Sequence, residues 1–135
     1  MAHGWTVRAL VRPQSAGSPR LPAGCEEVVG DIVDTAAVRT ACRGADAVFH
    51  MAARYSLARH AAEVVEAQNV TGTANVLAGA RATGAPMVHT SSVATIGIPA
   101  DGTPGTEATP LPRAQVIGGY KRSKVASERP ALAAA

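Results

Sequence analysis

The stretch Val70-Thr-Gly-Thr-Ala-Asn-Val-Leu-Ala-Gly-Ala-Arg-Ala-Thr-Gly-Ala-Pro-Met-Val-His-Thr-Ser-Ser92 decides the fold. Val70, Ala74, Leu77 and Arg81 recur at four- and three-residue steps, with Thr73 and Ala80 flanking the same face, which is the period of a helix. The spacing predicts a helix over roughly 61–83, with Gly84 as its stop. Gly72 costs up to about 1 kcal/mol inside a helix, so it points to a close helix–sheet approach. Pro86 to Thr90 then reads as an apolar strand that runs into Ser91-Ser92. A helix feeding a strand after a one-glycine stop is half of a repeating α/β unit.

The same alternation continues in both directions. Upstream, Ala45 to Met51 is a short apolar strand, read as buried on both faces. Asp34 is placed to cap a helix over about Thr35–Arg43, with Gly44 as its stop. Glu26–Val29 reads as a strand ending at Gly30-Asp31, and Trp5–Val11 as a strand stopped by Arg12-Pro13. Gln14 to Gly24, rich in Pro, Gly and Ser, reads as loop. Downstream, Ile98–Pro112 is a loop dense in Pro, Gly and Thr, and Tyr120–Glu128 a helix that Pro130 interrupts. Strands alternating with helices imply a mostly parallel sheet with right-handed crossovers. Ligands of such sheets bind beyond the carboxyl ends of the strands. Arg12, Asp31, Met51-Ala52-Ala53 and Ser91-Ser92 all fall at those ends.

Composition limits the function classes. At 135 residues the chain fits one domain, and 47% hydrophobic against 17% charged residues describes a globular chain. Aromatics are only 3%, so the core must be built from Ala, Val, Leu and Ile. The net charge of +3 is spread without a basic run, which argues against a nucleic-acid partner. Cys25 and Cys42 form neither a C-x-x-C pair nor a metal-ligand spacing, so free thiols in a reducing cytoplasm are expected, with no metal. No apolar signal core and no membrane span is legible.

Ser92, Tyr120 and Lys124 carry the chemistry. Tyr120 and Lys124 are one helical turn apart on one face, where an ammonium stabilises a phenolate and can also hydrogen-bond a ribose. The chain has two Tyr and two Lys, so finding one of each four apart is informative. Ser92, after a buried strand, can hydrogen-bond a substrate carbonyl or alcohol. The plainer reading is a packed Tyr, a solvated Lys and a Ser-Ser turn; the three types in this order favour a hydride-transfer site.

With these residues in place, the chain resembles the extended short-chain dehydrogenase/reductases, the NAD-dependent epimerase/dehydratase group. Within it the likeness is greatest to hopanoid-associated sugar epimerases and dihydroflavonol-reductase-like enzymes. The segments are Val7-Arg-Ala-Leu-Val-Arg-Pro13, Val29-Gly-Asp31, Asp46-Ala-Val-Phe-His-Met-Ala-Ala53, Asn69-Val-Thr-Gly-Thr73, His89-Thr-Ser-Ser-Val-Ala-Thr-Ile-Gly97 and Tyr120-Lys-Arg-Ser-Lys124. They cover about residues 5–128 in the expected order.

The resemblance implies an α/β fold, a partial Rossmann-like doubly wound parallel sheet that lacks its first strand and glycine-rich loop. It implies Tyr120 as acid/base, Lys124 as the partner that stabilises its phenolate and binds ribose, and Ser92 as the substrate-orienting hydroxyl. Asp31 and Ile32 would contact adenine, Met51, Ala52 and Ala53 would line the cofactor, and Asn69 would sit in the helix backing the site. Plainer roles are a turn residue for Asp31 and a surface amide for Asn69. The cofactor implied is NAD(P); Arg12 at a strand end suits a 2′-phosphate and favours NADP, against a plain surface arginine.

Three departures qualify this. No Gly-x-x-Gly-x-x-Gly turn precedes Trp5, His3-Gly4 resembles the end of a first helix, and Lys121 stands where the family often has glycine. The expectation is a Rossmann domain over 1–135 without the family's substrate domain, and a chain that by itself binds no NAD(P)H in a fluorescence titration. The leading functional reading is a fragment of a sugar epimerase/dehydratase-type oxidoreductase. Its alternatives are an NADP-dependent ketone or aldehyde reductase, and an inactive remnant or nucleotide-sensing module. The partner would be a small molecule, a nucleotide-sugar or a carbonyl compound, and the full-length family would allow a homodimer.

Overall fold

A computed structural model of the chain describes residues 4–15, 21–56 and 58–135. The reading at His3 and the 16–20 part of the expected loop lie outside them. Four short strands, β1 (Arg8–Val11), β2 (Glu26–Val29), β3 (Val48–His50) and β4 (Met87–His89), alternate with helices α1 (Thr35–Cys42), α2 (Ala62–Glu66), α3 (Gly72–Thr83) and α4 (Gly119–Leu132).

The strands pair in parallel as two separate sheets, β1 with β2 and β3 with β4. Arg8 lies opposite Glu26 and His50 opposite His89. The Val7 and Val11 carbonyls accept from Glu26 and Gly30 N–H, and the His50 carbonyl accepts from Thr90 N–H. Because backbone groups alternate in direction along a strand, Arg8 and Leu10 on β1 and Phe49 on β3 turn theirs to the opposite edges. Neither edge has a strand partner among the described residues. The pairing is therefore split where one continuous sheet was expected.

One helical layer nevertheless spans both pairs. Ile32, Val38, Cys42 and Val76 form the buried core, and Leu10, Val48 and Met87 pack against it from β1, β3 and β4. Asp34 caps α1 as expected, its Oδ1 accepting from Ala36 N (2.8 Å) and Ala37 N (3.3 Å). Asp34→Ala should cost about 1 kcal/mol, read as a lowered urea midpoint with an unchanged slope.

Gly72 explains the helix register. A Cβ there would press into the Ile32 side chain at 2.7 Å, so the helix approaches the β2–α1 turn closely and only glycine fits without displacement. The buried residues of α3 are Gly72, Thr73, Val76, Gly79 and Ala80. The flanking positions Thr73 and Ala80 thus lead the face, while Ala74 and Arg81 are exposed. Core helix faces here use small residues, which hydrophobic spacing does not single out.

Four other expectations need correction. The N-terminal strand shrinks to Arg8–Val11, because its partner β2 offers only four residues. β3 is covered on one face only: His50 is buried, while Phe49 and its register partner Val88 are open to solvent. The long helix is broken by a π turn at Ala67–Thr71 between α2 and α3. Finally, α4 runs through Pro130 to Leu132. Pro130 lies in the last turn, where the chain closes by Ala133 N–H to Arg129 O (3.0 Å), so little is lost to the missing donor.

Candidate active site

Parallel pairing puts the carboxyl ends of all four strands on the same side of their pairs. β4 ends at His89, and Thr90, Ser91 and Ser92 follow it directly. Ser92 Oγ accepts from Ala94 N (3.2 Å) and so caps the short 3₁₀ turn Val93–Thr95, which packs on α4. That contact brings the Ser92 turn to the helix of Tyr120 and Lys124.

Lys124 is not the solvated lysine of the plainer reading. It is 3% exposed, and its Nζ donates to the Thr90 carbonyl at 2.9 Å. Burial lowers its pKa below the ordinary ammonium value, and the Glu128 carboxylate one turn on opposes that in part. Glu128 is a second tie that sequence reasoning missed. Its Oε1 accepts from Ser91 Oγ (2.6 Å), next to Ser92, while the single Thr95 proton goes to the Ser92 carbonyl (2.7 Å) and leaves Thr95 Oγ1 3.2 Å from the carboxylate. The signal was available as a Lys–Glu pair at i, i+4.

Asn69 is likewise no surface amide. It is 2% exposed in the π turn and bonded on both ends. Its Oδ1 accepts from Arg54 N (2.7 Å), and its Nδ2 donates to Arg54 O (3.0 Å) and Ser123 Oγ (2.8 Å). Ser123 Oγ in turn donates to the Tyr120 carbonyl (2.7 Å). The amide therefore ties the segment after β3 to the first turn of α4. A π turn displaces one residue from helical register, which is how the amide reaches both. Tyr55 on the same segment meets Tyr120 edge-on, with centroids 4.8 Å apart.

Beneath these residues lies a polar layer. His50 Nε2 is 2.8 Å from Thr73 Oγ1, whose single proton goes to Asn69 O at 2.6 Å. His50 must therefore donate through Nε2–H. Burial, then His89, then Lys124 push its pKa from 6.5 to about 4. The His89 ring lies 5.1 Å from that of His50, and its nitrogens are shut from solvent without a hydrogen-bond partner among the described residues. Burial and Lys124 lower its pKa too, against Glu128.

The sign of this linkage is fixed. His50 stays neutral in the folded chain down to about pH 4, while the unfolded chain takes up its proton below about 6.5. Stability is full above pH 6.5 and is lost as pH falls toward 4, by on the order of 3 kcal/mol for this 4%-exposed group. Urea midpoints at pH 7 and 4.5 should differ accordingly, and His50→Gln, which keeps a donor to Thr73, should remove most of the difference.

The other expected residues are spread along the strand ends. Asp31 Oδ1 accepts from Val33 N (3.1 Å) and from Gln68 Nε2 (2.9 Å), so it does form the turn of its plainer reading and also holds the long helix. Ile32 turns its side chain into the core. Met51, Ala52, Ala53 and Arg12 are exposed. The structure thus packs the turn that Ser92 caps on the helix of Tyr120 and Lys124, ties Asn69 to that helix through Ser123, and leaves Arg12 exposed at the end of β1 and Ile32 in the core.

These residues fit part of a dinucleotide. Lys124 uses one of its donors on Thr90, and small exposed residues follow β3, so a ribose and a flat ring could approach there. A glycine-rich turn to hold the pyrophosphate is not among the described residues.

Parallel strands under a shared helical layer define a Rossmann-like α/β chain. The sequence profile of the NAD-dependent epimerase/dehydratase family matches residues 1–135. The chain belongs to that family, a family of NAD(P)-dependent oxidoreductases. It is 40% identical over 136 residues to a Synechocystis sp. protein provisionally named a dihydroflavonol 4-reductase, covering 100% of this chain and 39% of that one. It is 36% identical over 138 residues to the 4-hydroxy-2-methyl-3-oxo-4-farnesyl-3,4-dihydroquinoline-1-oxide ketoreductase of Stigmatella aurantiaca, covering 99% and 40%. A short-chain dehydrogenase/reductase superfamily protein of Agrobacterium tumefaciens, solved with bound NAD, superposes with a TM-score of 0.76 at 32% identity, covering 95% and 37%. The chain spans about two fifths of the length of the curated relatives it matches. No helix of the described residues is long and apolar enough to cross a membrane.

Proposed function

We propose that this chain carries the proton-transfer site of an NAD(P)-dependent carbonyl reductase. The observation that carries the reading is the double tie of α4 to the end of β4, Lys124 to Thr90 O and Glu128 to Ser91. It keeps the helix that bears Tyr120 and Lys124 packed on the turn that Ser92 caps. NAD(P)H, when bound, supplies the hydride to the carbonyl carbon. Ser92 orients the carbonyl oxygen, Tyr120 delivers a proton to it, and Lys124 stabilises the resulting phenolate. Asp31, Met51, Ala52 and Ala53 flank the cofactor, and Arg12 at the end of β1 favours the 2′-phosphate of NADP.

Reduction is preferred to epimerisation because the relatives at 36–40% identity carry reductase names. Product analysis tests this. In a protein that carries this chain together with a pyrophosphate-binding turn, net consumption of NADPH with one equivalent of alcohol formed per cofactor is the expected result, whereas the 135-residue chain by itself is expected to bind no NAD(P)H. Interconversion of nucleotide-sugar epimers with no net cofactor change would replace it with the epimerase reading. Arg12→Asp should reverse any preference for NADPH over NADH.

A further inference from the structure

Resting on the reductase reading, we propose that the groove beside Ser92 seats the apolar part of a lipophilic carbonyl or hydroxyl substrate. The groove, about 360 Å³, begins at Val93, the residue after Ser92, and is walled by Ile96, Ile98, Pro99, Thr103 and Pro104. Val93 is 86% and Ile98 71% exposed. Single exposed apolar side chains need no explanation, but here they line one groove whose first residue, Val93, follows Ser92 in the chain.

The wall is built, not loose. Gln115 grips Ile98 on both sides, accepting from its N–H (2.8 Å) and donating to its carbonyl (3.0 Å). Gly97 packs so tightly on the Pro110 carbonyl that any Cβ would collide with it. A folded loop that holds Ile98 outward keeps the groove open for an occupant.

Charge selects the occupant. No Lys, Arg or His lines the groove. Its one side-chain hydroxyl, Thr103, already donates to Asp101 (2.7 Å). The Thr103 hydrogen bonds hold the Asp101 carboxyl below its ordinary pKa, so an anion stands at the rim. A nucleoside diphosphate would meet neither cation nor free donor there, and would face a carboxylate. A hydrocarbon chain or ring loses nothing and gains by burial.

The test is binding followed by saturation-transfer NMR, with geranylacetone as the long probe and 6-methyl-5-hepten-2-one, one isoprene unit shorter, as the control. The long ketone should bind at least about tenfold more tightly, since each buried methylene adds affinity. Ile98→Asp and Val93→Lys, both at exposed side chains, should each remove that difference. Equal affinity for the two ketones, indifference to both substitutions, or displacement of the long ketone by UDP-glucose would overturn the groove assignment. NADPH turnover, measured in a protein that carries this chain together with a pyrophosphate-binding turn, is a separate arm. Chain-length-dependent binding without turnover sinks the reductase reading alone, and turnover without such binding sinks the groove alone.

Discussion

Replacing Tyr120 by Phe in a protein that carries this chain together with a pyrophosphate-binding turn is expected to lower kcat by about 10²–10⁴-fold, the usual worth of a positioned proton donor. The substitution removes one oxygen and keeps the ring, so the edge-on contact with Tyr55 and the backbone bond to Ser123 remain. Folding should therefore be unchanged, checked by the urea midpoint. If the loss is in proton delivery, kcat and kcat/KM fall together while cofactor affinity stays as it was. A Tyr120→Phe enzyme retaining more than about a tenth of wild-type kcat would remove Tyr120 from the reaction. Lys124 is the less clean target, because truncating it also cuts the tie to Thr90.

The second large effect is on stability. Asn69→Leu should destabilise the chain by about 3 kcal/mol, since it leaves the Arg54 N–H and carbonyl without their amide partners and deprives Ser123 Oγ of a donor. Leu is near in volume, so the loss reports unpaired polar groups and not a cavity. Urea unfolding measures it. The segment bearing Tyr55 should loosen first, seen as faster amide exchange at Arg54. A change below about 0.5 kcal/mol would mean that the three bonds hold nothing in place.

The split of the sheet bears on both measurements. Among the described residues β1 and β3 each present an edge without a strand partner, and Phe49 and Val88 stand open on the uncovered face. Such surface favours association, so midpoints should be compared at low protein concentration.

Local chemistry made most of the elements legible. Asp34 capped its helix, Gly84 ended the long one in a left-handed conformation, and Glu26–Val29 is the strand its residues spelled. The turn that Ser92 caps does pack on the helix that holds Tyr120 and Lys124. The misses share a cause. Phe49 and Pro130 were read from the intrinsic preferences of their segments, whereas their fate depended on what lies against them. The π turn at Ala67–Thr71 left no mark in spacing, because it is stabilised by Asn69 reaching partners 15 and 54 residues away.

By itself, then, the order of residues determined which segments are strands and helices and which side chains sit at strand ends, since caps, glycines and periodicity act within a few positions. Only the tertiary structure decided that Lys124 is buried against Thr90, that Glu128 holds Ser91 beside Ser92, and that His50 is held neutral. Burial and hydrogen bonding between distant segments set those outcomes, and the energy of such contacts belongs to the packed chain and to no stretch of it alone.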